Sequence, residues 1–302
     1  MFPVGQKRSL AGFLIAAAAF PLHSAVAAPF DFSGSLGEGG FTRYVPPVTN
    51  PIFNETPLIT TEIRPIYFRQ KIPSDFPSGG GDIDVVAAQL RVAITNRLGF
   101  LATTDGYAWA DFDAALPDSS GFADLAVGLK YAVVYDPSAG EVLTLGLRYT
   151  LPSGNLDVGT IDLTGYGAGS LHIFASGLKQ SGPWQLQGNV GVQQALSGDA
   201  TSFAYGSAHV SYEILPGLYP LAELNVFLPY DGGDRLPGSQ LTGVDVADFG
   251  SSDPKNSVTV AGGLRYRPAE NVILGGAFEY NVSESADHLM EWRAMFDAVI
   301  HF

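Results

Sequence analysis

The sequence predicts an all-β protein, specifically a transmembrane, antiparallel, up-and-down β-barrel of about twelve strands that follows an irregular N-terminal segment. Three observations support this prediction. Apolar and polar residues alternate with period two in one segment after another, as they do in strands with one apolar face. The connections between these segments are alternately short and long. The chain also ends on such a segment, and its last residue is the aromatic Phe302.

The first 27 residues have the features of a secretory signal peptide. Lys7 and Arg8 precede an apolar run from Leu10 to Phe20, and residues 25–27 (Ala-Val-Ala) are small enough for cleavage. The apolar run is too short to span a membrane as a helix. We therefore expect cleavage after Ala27 and export of the mature chain.

Composition excludes several functional classes. The chain has 16 basic and 30 acidic residues, and this acidic balance argues against nucleic acid as a partner. It has no cysteine, so we expect neither disulfides nor thiolate chemistry. The charged fraction of 15% is low beside the roughly 25% of soluble domains. Five scattered histidines predict no metal site and no cofactor.

The predicted elements follow the signal peptide in order. Residues 28–58 are rich in Gly, Pro, Asn and Phe and show no period, so we expect an irregular segment in the periplasm or in the barrel lumen. Residues 59–302 are predicted to form the barrel. Its strands are expected at residues 61–72, 86–94, 98–110, 125–133, 143–151, 165–177, 184–192, 202–214, 218–229, 258–266, 272–280 and 290–302.

The connections predict which end of the barrel faces the cell. Bacterial barrels have short periplasmic turns and long outer loops. The short connections lie near residues 95–97, 136–140, 179–183, 215–217 and 268–271. The long ones lie near residues 73–82, 111–121, 152–164, 231–256 and 283–288, while 196–201 is hardly longer than a turn. Twelve crossings return Phe302 to the periplasm, where a terminal aromatic resembles the assembly signal that the barrel-assembly machinery reads.

Aromatic residues on the apolar face predict two interfacial girdles, because each ring has an apolar body and a polar tip. The periplasmic girdle is expected to contain Tyr131, Trp184, Tyr212, Tyr266 and Phe302, and the outer girdle Tyr149, Tyr280 and Trp292.

If the apolar face meets lipid, the polar face lines a lumen. We predict that it contains Arg91, Asp124, Lys130, Arg148, Glu213, Glu223, Arg265, Glu279, Glu291, Arg293 and Asp297. One interpretation is an ion-pair network that fills and braces a narrow barrel. The other is a constriction that selects a permeant solute by its charge.

The aromatic residues of the N-terminal segment are candidates for an apolar plug that gates the lumen. They are Phe30, Phe32, Phe41, Tyr44 and Phe53. The alternative is a mobile tail, which the Gly and Pro content also fits.

An enzymatic interpretation is weaker. Ser170 with His172, and Ser207 with His209, each place a serine and a histidine two residues apart on one strand face. Such neighbours are roughly 6–7 Å apart, too far for a nucleophile and its base. The sequence therefore predicts no catalytic residue.

Three stretches resemble a known family: Asn96–Gly106, Gly121–Tyr131 and Leu145–Gly154. They are similar to the outer-membrane transporter-like family that is linked to the meta pathway of phenol degradation. The resemblance implies a barrel that passes hydrophobic compounds, and it supplies no ligand residues.

The functional expectation is passive transport of small solutes, including hydrophobic or aromatic ones, across the bacterial outer membrane. The expected partners are outer-membrane lipid, a small-molecule permeant and the barrel-assembly machinery. Two other classes stay open: a non-conducting structural or partner-binding barrel, and a membrane-embedded hydrolase.

Overall fold

A computed structural model of the chain describes residues 32–36, 41–114, 116–165, 167–243, 245–283 and 286–302. The predicted signal peptide and Phe30 lie outside the described residues. Within these ranges, no helix combines the length and the apolar character that crossing a membrane requires.

Across the described ranges, twelve long strands form the barrel wall. They are β1 Glu62–Ile72, β2 Gly81–Ala93, β3 Leu98–Phe112, β5 Leu125–Asp136, β6 Glu141–Thr150, β9 Ser170–Ser181, β10 Trp184–Ala195, β11 Ser202–Tyr212, β12 Leu218–Asp231, β13 Ser257–Ala269, β14 Val272–Asn281 and β15 Trp292–His301. Three short strands accompany them: β4 Ser119–Phe122, β7 Asp157–Val158 and β8 Ile161–Asp162.

The wall closes on itself. Each long strand is antiparallel to the next, and β1 pairs with β15 in a register that sets Tyr67 opposite Phe296. Closure leaves no free sheet edge, which a barrel in lipid requires because its backbone groups have no water partners. The predicted twelve-stranded, up-and-down antiparallel barrel is confirmed.

The period-two pattern orients every strand. On β10, Trp184, Leu186 and Val190 are exposed outward, whereas Gln185 and Gln187 are buried inside. Apolar residues outside and polar residues inside are the reverse of a soluble protein, because the exterior of this barrel meets hydrocarbon. Large exposed apolar side chains continue around the wall, with Tyr131 and Tyr266 toward one end and Tyr149 and Tyr280 toward the other.

Turns and loops alternate as predicted. Turns of two to five residues join the strands at the end that carries Phe302, while the described residues of the ranges 151–169, 232–256 and 282–291 belong to long loops at the opposite end. Following the usual arrangement of bacterial barrels, the short turns mark the periplasmic end.

Residues 41–61, called the plug segment below, enter the barrel from the periplasmic end and fill its lumen. They have no ladder partner, yet almost all of them are buried. The segment rises to a turn at Asn50, which has a left-handed φ of 53°, and then descends to β1. Backbone bonds to the Asn50 carbonyl from Phe53 (3.1 Å) and Asn54 (2.7 Å) close this turn.

Candidate functional site: the plugged lumen

The plug segment is buried without secondary structure, so its backbone groups need other partners. Four of its residues are prolines, at positions 46, 47, 51 and 57, and these have no N–H to satisfy. Many of the remaining groups bond to inward-facing side chains of the wall. At the periplasmic side, Val45 donates its N–H to Gln185 Oε1 at 3.0 Å and accepts from Gln185 Nε2 at 2.5 Å.

Glu223 on β12 captures the rising arm of the plug segment. Its carboxylate accepts the backbone N–H groups of Val48 (2.8 Å) and Thr49 (2.7 Å) and the Thr49 hydroxyl (2.5 Å). His209 Nδ1 lies 2.8 Å from the same carboxylate. This side chain therefore works as a fixed acceptor for two consecutive plug amides.

Two arginines that pair with Asp297 donate hydrogen bonds to the carbonyls of the same arm. Arg64 Nε donates to Asp297 at 2.6 Å, and Arg265 Nη2 at 2.9 Å. The Arg64 guanidinium also donates to the carbonyls of Pro47 (2.9 Å) and Val48 (3.0 Å). Arg265 Nε donates to the Pro46 carbonyl at 2.8 Å. Charge-assisted bonds of this kind are stronger than neutral ones, so the arm is held rigidly.

Glu55 anchors the descending arm. Arg91 binds its carboxylate in a bidentate fashion, with both bonds 2.7 Å long, and Lys130 and Arg148 lie 2.9 Å and 3.3 Å away. All four side chains are almost fully buried. Burial alone would raise the pKa of the Glu55 carboxyl, but the three cations outweigh it and hold the pKa well below its ordinary range.

A fourth group of charges links the lumen to an outer loop. Arg293 donates to Asp245 of loop 232–256 at 2.7 and 2.9 Å, and to Gln70 on β1 at 2.7 Å. Glu279 lies 3.6 Å from the same guanidinium. The loop is thereby tied to the inside of the barrel wall.

Most of the lumen residues named from the sequence lie in these groups. Buried inside the barrel are Arg91, Lys130, Arg148, Glu223, Arg265, Glu279, Arg293 and Asp297. Their partners include the plug backbone, a role that the period-two pattern alone does not reveal.

The other three residues predicted to line the lumen lie at its ends, beyond the regular strands. Asp124 sits between β4 and β5 and accepts backbone N–H groups of an outer loop, including Gly154 at 2.7 Å and Gly165 at 2.9 Å. Glu213 follows β11 in a periplasmic turn, and Glu291 precedes β15 at the outer rim. Each lies beyond the end of a regular strand, where alternation no longer sets the direction of the side chain.

The aromatic residues predicted for the plug divide in a similar way. Phe41, Tyr44 and Phe53 are buried inside the barrel. Phe32 is 56% exposed, contrary to the prediction, because its carbonyl is held by Thr61 at the periplasmic end, outside the lumen.

Sequence reasoning missed Glu55 and Arg64 as functional residues. Glu55 is the only acidic residue between Arg43 and Glu62, and an isolated carboxylate in an apolar, proline-rich segment was a usable signal. Arg64 lies on β1, where the alternation was weak.

Above the plug, the lumen contains a cavity of about 130 Å³. Ile52 and Phe53 of the plug turn form its floor, Phe203 and Phe227 belong to its wall, and Phe249 of loop 232–256 lies on its outer side. Two smaller apolar cavities of about 30 Å³ each adjoin this loop. The outer half of the lumen is therefore closed by loops but not solidly packed.

The carboxylates that line the large cavity are engaged by the protein. Asp245 pairs with Arg293, and Asp248 accepts the N–H of Thr201 at 2.7 Å and its hydroxyl at 2.9 Å. No group of three or more acidic or histidine side chains in the described ranges is arranged to hold a metal ion.

The two serine–histidine pairs do not form dyads. His172 Nε2 lies 2.7 Å from the Tyr205 hydroxyl, and His209 is bound to Glu223. Ser207 Oγ lies 3.5 Å from the Asn50 amide. Within the described residues, neither histidine is hydrogen-bonded to the serine two positions before it.

Comparisons with known proteins support the architecture. No family model and no curated protein matches the chain. Among solved structures, an outer-membrane channel from Pseudomonas putida F1 is 15% identical with a TM-score of 0.58, over 85% of this chain and 100% of that one. The fold is that of a bacterial outer-membrane β-barrel. Together with the apolar exterior, this places the protein in the outer membrane.

More distant similarities have lower TM-scores. The KdgM porin in complex with disordered oligogalacturonate is 11% identical, with a TM-score of 0.47 over 80% of this chain and 99% of that one. Outer-membrane phospholipase A from Escherichia coli is 10% identical, with a TM-score of 0.39 over 80% and 97%.

Proposed function

We propose that this barrel transports small solutes passively across the outer membrane, and that the plug segment controls their passage. The observation that carries the proposal is the cavity of about 130 Å³ between the outer loops and the plug turn. A solute reaching this cavity from the outside meets Ile52 and Phe53, which close the route to the periplasm. A movable floor at this position would convert the cavity into a channel.

The lining favours hydrophobic or aromatic solutes. Phenyl rings of Phe53, Phe203 and Phe227 face the cavity, and its carboxylates are already engaged by protein donors. An engineered protein cavity of similar size, roughly 150 Å³, binds benzene. The resemblance of three stretches to a family linked to phenol degradation supports the same solute class.

One observation favours the alternative of a non-conducting structural barrel. The plug segment is held by buried charge groups around Glu55, Glu223 and Asp297, and removing such partners is costly. If these contacts never open, the lumen is permanently closed. A direct test must therefore compare a free plug with a locked one.

Asn54 and Asn189 are suitable positions for a cross-link between the plug and the barrel wall. The Asn189 amide donates to Asn54 Oδ1 at 3.0 Å, from the barrel wall to the plug. Since the chain has no cysteine, Asn54→Cys with Asn189→Cys introduces the only two thiols. They can be joined by a short thiol cross-linker and released by a reductant, and the Asn189→Cys single variant serves as the matched control.

Planar-bilayer conductance and uptake of phenol into proteoliposomes are the two readouts. We expect passage through the reduced pair and the single variant, loss of passage on cross-linking, and recovery on reduction. An absence of passage in the wild type and in the reduced pair would contradict transport and favour the structural barrel.

A further inference from the structure

We infer that Phe53 occupies an aromatic-binding site at the base of the outer cavity, and that a neutral single-ring aromatic solute competes with Phe53 for it. Binding of the solute would thereby displace Phe53 and the turn of the plug segment from the lumen wall. This inference rests on the proposed transport function and identifies the residue that recognises the solute.

The rings around Phe53 form a cage from three strands. Its centroid lies 5.4 Å from that of Phe203, 4.9 Å from Tyr205, 5.5 Å from Phe227 and 5.3 Å from His172. The first three are edge-to-face arrangements, the geometry that aromatic pairs prefer. The cage therefore recognises a six-membered aromatic ring, and the plug itself presents that ring.

The cage and the cavity share residues. Phe53, Phe203 and Phe227 belong to both, so a solute in the cavity is already in contact with the rings that hold Phe53. When a solute ring replaces the Phe53 ring in the cage, the solute forms edge-to-face contacts in place of those that Phe53 loses. The exchange consequently costs far less than pulling Phe53 into an empty space.

The turn is also where the plug is bound most weakly by charge. The lower arms are held by the buried carboxylates of Glu55, Glu223 and Asp297 and their hydrogen-bond partners. Around the turn, the bonds are from neutral amides, such as Gln89 to the Pro51 carbonyl at 3.0 Å, or from one arginine to the Ile52 carbonyl at 3.0 Å. Aromatic contacts are therefore the main restraint on the tip, and an aromatic ligand is suited to release it.

The solute should be uncharged. The lining carboxylates Asp124, Asp245 and Asp248 bind backbone or side-chain donors of the protein. A cationic solute would have to compete with these donors, whereas a neutral ring needs only the apolar surface. Phenol combines one ring with neutrality and solubility in water, so it is the probe of choice.

A single thiol next to Phe53 reports the position of the turn. Asn54 is 1% exposed, and Asn54→Cys is the only cysteine in its variant. We expect slow labelling by a water-soluble maleimide, a several-fold faster rate with phenol, and a much smaller effect of cyclohexanol, which has similar size but no aromatic ring. Heat-modifiable migration on gels confirms that the barrel stays folded during labelling.

Two leucine variants in this background separate the cage from general loosening. Phe53→Leu should label about tenfold faster without solute, because several ring contacts are lost, and should no longer respond to phenol. Phe41→Leu removes another buried ring of the plug, which packs against Tyr135 at the periplasmic side. This variant should keep its response to phenol.

The outcomes distinguish this inference from the transport proposal. Labelling that is unaffected by phenol, equally affected by cyclohexanol, or still phenol-dependent in Phe53→Leu would overturn the inference, even if the reduced cysteine pair conducts. Phenol-dependent labelling without any conductance or uptake would support the site and contradict transport.

Discussion

Glu55 is the single carboxylate of the plug segment, and it contacts cations from three different strands. Arg91 comes from β2, Lys130 from β5 and Arg148 from β6. Three buried cations would repel one another without a carboxylate between them. Glu55 therefore stabilises the barrel wall as well as the position of the plug. At this scale, the charges of the lumen are a docking site for a particular segment of the same chain.

Replacing Glu55 by Gln should loosen the plug more than any exposed change. The substitution leaves three buried cations without their carboxylate, and breaking a buried pair in this way costs about 3 kcal/mol or more. We expect much faster maleimide labelling of a Val48→Cys reporter, which is fully buried in the wild type. Glu141→Gln, which removes an exposed pair with Lys179, is the control and should change little.

The pH dependence of the plug follows from the lowered pKa of Glu55. A carboxyl whose folded pKa is lowered stabilises the structure fully above its unfolded pKa of about 4.3 and loses this contribution as the pH falls through the folded value. Labelling of the Val48→Cys reporter, corrected for the reagent's own pH dependence, should therefore be constant from pH 7 to pH 5. A rise within that range would show that protonation of Glu55 does not account for the pH dependence of the plug.

At the scale of elements, the wall is interrupted where β3 changes its partner. Its first half pairs with β5 and its second half with the short strand β4. Gly106 lies at this change with a φ of 83°, and the Ala123 N–H donates to its carbonyl at 2.8 Å. A Cβ at Gly106 would collide with the Val86 carbonyl of the neighbouring strand. Glycine is therefore required here for two reasons: the left-handed backbone and the lack of space for a side chain.

Gly106→Ala should therefore destabilise the barrel by about 1 kcal/mol or more, through the left-handed backbone and the collision together. Gly262→Ala is the matched control, because a Cβ there faces open space on the lipid side. Urea unfolding in detergent or lipid measures both changes. Equal stability of the two variants would contradict the strain assigned to the break.

At the scale of the whole molecule, the two ends of the lumen are closed in different ways. The periplasmic half is filled by the plug segment of the same chain, whereas the outer half is covered by loops over cavities. Arg235 joins three of these loops, donating to the backbone carbonyls of Asp162, Asp199 and Asp248. A single side chain therefore links three of the covering loops.

Arg235→Ala should open the outer cavity without moving the plug. Labelling of an Ile52→Cys reporter on the cavity floor should become about tenfold faster, because charge-assisted bonds to three loops are lost. The Val48→Cys reporter below the turn should not change. Faster labelling at both positions would show instead that the loops and the plug open together.

The sequence by itself determined the strand count, the closure of the barrel and the face of each strand that meets lipid. These features repeat locally: alternation along β10 needs only the residues of β10, and lipid demands an apolar side chain at every outward position. The same rule failed for Glu213 and Glu291, because they lie just outside regular strands.

Only the tertiary structure decided what the inward side chains do. Glu55 meets Lys130, and Val45 meets Gln185, across long separations along the chain and without any periodic pattern that joins them. Period two shows that a side chain points inward, but the plug that passes there determines its partner. The cavity above Phe53 likewise depends on strands, plug and loops that come together only when the barrel closes.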